Sequence, residues 1–64
     1  MKTSNIIVFN DHGFIAGGAS NVAIRSAILL SKYYNVTFIY GLGSPIKELI
    51  DSDVKLIKIA VPFN

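Results

Sequence analysis

The sequence predicts an α/β fold of three parallel strands with two intervening helices, and three observations carry that prediction. Short runs rich in β-branched, aromatic and other apolar residues stand at positions 6–9, 36–40 and 54–59. Between the first two, over positions 19–33, the apolar residues recur at helical spacing. The connections are short, and strand–helix–strand crossovers of this kind are right-handed and parallel.

Taken in order, Ile6-Ile7-Val8-Phe9 is a continuous apolar run, the habit of a parallel strand buried on both faces. A glycine-containing loop follows, Asn10 through Gly18. In the first helix Ala19, Val22, Ala23, Ser26, Ala27 and Leu30 are expected on the buried face, with Asn21, Arg25 and Lys32 opposite and Ile28 near the polar side. Asn35 is expected to close that helix in the left-handed conformation. Val36-Thr37-Phe38-Ile39-Tyr40 forms the second strand, and Gly41-Leu42-Gly43 reads as a turn. Ser44-Pro45 has the pattern of an N-cap and first helical residue, opening a short helix through Ile46, Leu49 and Ile50. The third strand runs over 54–59, its lysines Lys55 and Lys58 marking a partly exposed position, and Pro62 ends it. Tyr33, Tyr34 and Tyr40 are expected to pack near the helix end and second strand.

The predicted spatial order is 3-2-1, half of a doubly wound, Rossmann-like parallel sheet. In that order the most apolar strand is an edge, which invites aggregation. A fourth strand beside it removes the conflict. The expectation is therefore an incomplete domain, with residues 1–64 the N-terminal part of something longer.

Composition narrows the function. With 64 residues and no cysteine, disulfides and thiolate metal sites are excluded, and a domain of this length is only marginally stable. One histidine and four scattered carboxylates do not make a metal site, and no metal or cofactor is expected. The net charge of +2 is dispersed, with no basic stripe for nucleic acid. No apolar run approaches the roughly 18 residues of a membrane span. Asn10-Asp11-His12 also cuts the first apolar run short of a secretory leader. The expected location is the cytoplasm.

Ligands of open α/β sheets bind beyond the carboxyl ends of the strands, beside strand one at the switch point. This marks residues 10–20. Gly17 and Gly18 precede the first helix, whose unpaired N–H groups and dipole attract anions. They are the expected donors to a phosphate, with Ser20 as a further contact. A dinucleotide fingerprint is absent: the G-x-G-x-x-G spacing is missing, and Tyr40-Gly41 stands where an acidic residue would hold the ribose.

The stretch from Asn10 to Ala23, with its Gly17-Gly18-Ala19 turn between strand and helix, resembles the first-strand loop of retaining GT-B glycosyltransferases of the group 1, family 4-like type. It departs from that pattern at Tyr34-Asn35-Val36-Thr37, where the family usually has Gly-His-x-Val. The resemblance spans nearly all of this chain but only the first part of a two-domain enzyme. It implies transfer of a sugar from a nucleotide-sugar donor to a saccharide or lipid-linked acceptor. Gly17 and Gly18 would lie near the donor diphosphate, while Asp11 and His12, in the loop facing the transferred sugar or acceptor, are the candidates for hydrogen bonding or proton transfer. The family's donor-binding C-terminal domain lies outside this sequence, so the 64-residue chain alone is not expected to catalyse. The alternative is a truncated or stand-alone α/β module that binds a phosphate ligand, or a partner through its exposed first strand, without catalysis.

Overall fold

The computed structural model describes residues 4–60; Pro62, expected to end the third strand, lies outside them. Five elements alternate along the chain: β1 (Asn5–Phe9), α1 (Gly18–Leu30), β2 (Asn35–Tyr40), α2 (Lys47–Ile50) and β3 (Lys55–Lys58). The strands form one parallel sheet in the order β1-β2-β3, as expected for half of a Rossmann-like sheet. Ile6 pairs with Val36 and Val8 with Phe38, while Phe38 in turn pairs with Leu56.

Because both crossovers advance in the same direction with the same hand, both helices land on one face of the sheet. That face holds the core. Ile24 and Ala27 of α1, Leu49 of α2 and Val36, Phe38 and Tyr40 of β2 are buried together, with Ile6, Val8 and Leu56 packed against them. Among the described residues nothing covers the opposite face. Ile7 and Phe9 alternate with the packed residues of β1 and are each 67% exposed. This corrects the expectation that β1 is buried on both faces: period-two alternation puts half of its apolar side chains on the bare side.

The buried face of α1 also differs from the expected one. Ser20, Ile24, Ala27 and Ser31 are buried and Ile28 is partly buried against the core, whereas Ala19, Val22 and Ser26 are exposed. The buried stripe is rotated around the helix from the expected one, taking in Ser20 and Ser31 and leaving Ser26 outside. Each buried serine satisfies its hydroxyl on nearby backbone: Ser31 Oγ donates to the Ile28 carbonyl at 2.6 Å, and Ser20 is described below. The ion pair between Arg25 and Glu48 at 3.6 Å ties the neighbouring flank of α1 to α2.

Helix α1 stops at Leu30, earlier than position 33, in a tightened turn in which Lys32 N–H donates to the Leu29 carbonyl and Tyr33 N–H to that of Leu30. Asn35 does not close it. No residue other than glycine has positive φ among the described residues, and Asn35 already belongs to β2, its N–H donating to the Ser4 carbonyl at 2.9 Å. Tyr40 packs in the core, but Tyr33 and Tyr34 are exposed, because the turn after α1 carries them off the sheet. Helix α2 begins after Ile46 rather than at Ser44-Pro45 and makes a single turn. Among the described residues no helix is long and apolar enough to cross a membrane.

Candidate functional site

At the carboxyl ends of the strands, the loop after β1 and the loop after β2 are joined along their backbones. Gly41 and Leu42 both donate N–H groups to the Asp11 carbonyl, at 3.2 and 2.9 Å. Gly13 N–H donates to Leu42 C=O at 3.0 Å, and Ile46 N–H to Gly13 C=O at 3.1 Å. His12 and Leu42 thereby form a parallel bridge beyond the strands proper. The turn at 41–43 is thus a wall of the site, a role its sequence gave no sign of, since the bonds that make it one are between backbones.

Two glycines make this seam possible. A Cβ on Gly13 would lie 3.0 Å from Tyr40 Cδ2 and 3.2 Å from the Pro45 nitrogen. Gly43 has φ +73°, and a Cβ there would fall 2.3 Å from Phe14 Cε1. Side-chain-bearing residues rarely adopt that backbone conformation, so glycine is required on both counts. Phe14 lies over Gly43, and the His12 ring packs edge-on against Phe14, centroids 4.9 Å apart. Lys58 Nζ donates to the Gly43 carbonyl at 3.0 Å, tying the seam to β3. On the other side Asn10 Nδ2 donates to the His12 carbonyl at 2.8 Å. The imidazole is therefore held by packing on one side and by a fixed backbone on the other.

Beside this seam opens a cleft of about 260 Å³, lined by Phe9, Asn10, Asp11, His12, Gly41, Leu42 and Ile59. Its walls combine apolar side chains from β1, the second loop and the end of β3 with the polar Asn10-Asp11-His12 run. Such an arrangement suits a small ligand with an apolar face and a few hydrogen-bonding groups. Asp11 and His12, both singled out from the sequence, meet here. Phe9, Gly41, Leu42 and Ile59 were not singled out. Phe9 and Ile59 read as strand core, and only the bareness of the sheet face frees them to line a cleft.

Gly17, Gly18 and Ser20 do not line it. Ser20 is 5% exposed, and its hydroxyl accepts from the N–H groups of Ala16 at 2.7 Å and Gly17 at 2.9 Å while donating to the Gly17 carbonyl at 3.0 Å. One donor and two acceptor positions exhaust a hydroxyl. What Ser20 supplies is a fixed entry into α1, and the helix is opened by the amides of Gly18 and Ala19, which have no carbonyl four residues back within it. Gly17 is extended (φ 174°), a conformation open to any residue, and a Cβ on either Gly17 or Gly18 would meet nothing within 4 Å. Neither the backbone nor the packing of the described residues requires glycine at these two positions. Among the described residues no three His, Cys, Asp or Glu side chains gather where they could hold a metal ion.

No protein-family model, curated protein or solved structure matches the chain.

Proposed function

We propose that the chain is the N-terminal half-sheet of a glycosyltransferase that moves a sugar from a nucleotide-sugar donor to a saccharide or lipid-linked acceptor, acting in the cytoplasm and without nucleic acid. The observation that carries this reading is the cleft at the strand ends. A sugar ring has an apolar C–H face and a rim of hydroxyls. Phe9, Leu42 and Ile59 suit the first, and Asp11, His12 and Asn10 suit the second. Asp11 accepts from a hydroxyl, and His12, held against Phe14, donates to one or exchanges a proton with it. The amides of Gly18 and Ala19 serve the diphosphate, and the open space beside Gly17 and Gly18 leaves room for its oxygens. Turnover requires a second domain to close over the donor, so the chain alone binds without transferring.

The test is a titration of the isotope-labelled chain with UDP- and GDP-sugars and, separately, with free monosaccharides, read by amide NMR. Shifts at Asp11, His12 and Leu42 with sugar, and at Gly18 and Ala19 only with the nucleotide-linked sugar, are expected. A folded chain whose spectrum ignores both ligands up to 10 mM, on the order of the weakest useful affinity, would overturn the reading.

A second reading, a small α/β module that binds a partner without catalysis, is favoured by the outer edge of β1, which pairs with no strand among the described residues. The same titration separates the two, because a module of that kind leaves the cleft amides unmoved.

A further inference from the structure

The polar side of the cleft is rich in acceptors, poor in donors and carries one carboxylate. We infer that the cleft selects its sugar by charge, taking one with a free amino group ahead of a neutral one and refusing one with a carboxylate. The inference rests on the sugar reading above and adds to it the class of sugar.

Most of the amides around the cleft are already spent. Gly41 and Leu42 both donate to the Asp11 carbonyl, and Ile59 donates to the Tyr40 carbonyl at 2.9 Å. Across from them Asn10 N–H is given to the Ile39 carbonyl at 3.0 Å. Anion sites are built from several converging N–H groups, and the wall formed by the second loop and the end of β3 has none to contribute.

The side chains point to the same chemistry. Asn10 Nδ2 donates to the His12 carbonyl at 2.8 Å. A carbonyl can only accept, so the orientation of the amide is settled and Oδ1 is left to receive a donor. Asp11 is exposed, and the seam uses its main-chain carbonyl, which leaves the carboxylate for a ligand. An ammonium group brings three donors and a positive charge. Asp11 and Asn10 answer it with a carboxylate and a carbonyl oxygen, while the sugar ring keeps the apolar wall of Phe9, Leu42 and Ile59.

No charge offsets Asp11 from within the cleft. Among the described residues no lysine or arginine lines it. Lys58, which reaches the second loop, donates Nζ to the Gly43 carbonyl and is not a lining residue. The other described carboxylates stand elsewhere: Glu48 pairs with Arg25, and Asp51 and Asp53 precede β3 at the opposite end of the sheet. The whole chain carries +2, so its overall field favours anions. A cleft that prefers an ammonium acts against that field. The sign of the selectivity therefore separates a local contact with Asp11 from the general pull of the chain.

Three sugars built on one six-carbon ring, glucosamine, glucose and glucuronate, test this by amide NMR of the labelled chain at pH 7. Shifts at His12 and Leu42, and not at Ser52 at the far end of the sheet, report the cleft. Glucosamine should bind about fivefold more tightly than glucose and glucuronate about fivefold more weakly, the ratio expected for unit charges ~4 Å apart in a water-like medium. Raising the salt from about 50 mM to about 500 mM should draw both ratios toward one. Asp11→Asn keeps the main-chain carbonyl that the seam uses, and should bring the three affinities within about twofold of one another. Equal binding of the three by the parent chain, with the cleft amides moving, would overturn the inference and leave the sugar reading standing. So would tightest binding of glucuronate, or an order that Asp11→Asn does not change. Cleft amides that ignore all three sugars would overturn both.

Discussion

Phe38 and Phe9 are the same residue type on adjacent strands of one sheet, yet the first is 0% exposed and the second 67%. The glycines divide in the same way. Gly43 has an aromatic ring where its Cβ would be, and Gly17 has open space. In each pair one residue serves the fold from inside, while the side chain of Phe9 stays mostly exposed and a Cβ on Gly17 would meet nothing within 4 Å. The difference arises from handedness. Two like-handed crossovers in one direction stack both helices on a single face, so Ile7 and Phe9 of β1 and Ile57 of β3 are left exposed among the described residues.

Substitutions can break this contrast or sharpen it. The largest effect belongs to Phe38→Ala, expected to cost about 3–5 kcal/mol. Small domains hold only on the order of 5 kcal/mol in total, so loss of the far-UV circular dichroism transition at room temperature is the expected readout. Gly43→Ala comes next, at about 2–3 kcal/mol, from positive-φ strain together with displacement of Phe14. Urea titration measures the loss, and the His12 ring proton resonances should move as the aromatic contact opens. Ser20→Ala removes the acceptor of two backbone N–H groups and should cost about 1–2 kcal/mol. Amide exchange at Ala16 and Gly17 should quicken with it. Smallest are Phe9→Thr and Gly17→Ala, both expected within about 0.5 kcal/mol of the parent at low micromolar concentration. A loss of more than 2 kcal/mol at Phe9 would mean that the uncovered face is not uncovered in solution.

Much of this arrangement is legible in the residues. The β-branched runs locate three strands because strand propensity is local, and the short connections then leave a single parallel order. Asp11 and His12 follow from topology, as the residues after the strand beside the switch point. Other features are not legible, for physical reasons. Ser20 and Ser31 are buried with their hydroxyls bonded to nearby backbone, Ser20 to Ala16 and Gly17 ahead of the helix and Ser31 to Ile28 within it, so the spacing of apolar residues alone points to a stripe through Ala19, Val22 and Ser26 that the structure leaves exposed. The seam between Asp11-His12-Gly13 and Gly41-Leu42 consists of backbone bonds between distant segments, to which side-chain identity contributes only the permission of two glycines. The bareness of Ile7 and Phe9 is a property of which face the helices take, and no local pattern of β1 encodes that.

The sheet register also has a kinetic consequence. Pairing Asn5 with Asn35 closes a loop of 30 residues, whereas pairing Thr37 with Lys55 closes one of 18. The longer closure costs about 0.5 kcal/mol more chain entropy, so the β2-α2-β3 half is expected to zip first and β1 to dock last. By the same ordering β1 is the first strand to lift away. The loop bearing Asp11 and His12 hangs from that late strand. Its amides should therefore report the fastest sub-global opening in the molecule, and any ligand gripped there would slow the detachment of the strand that carries it.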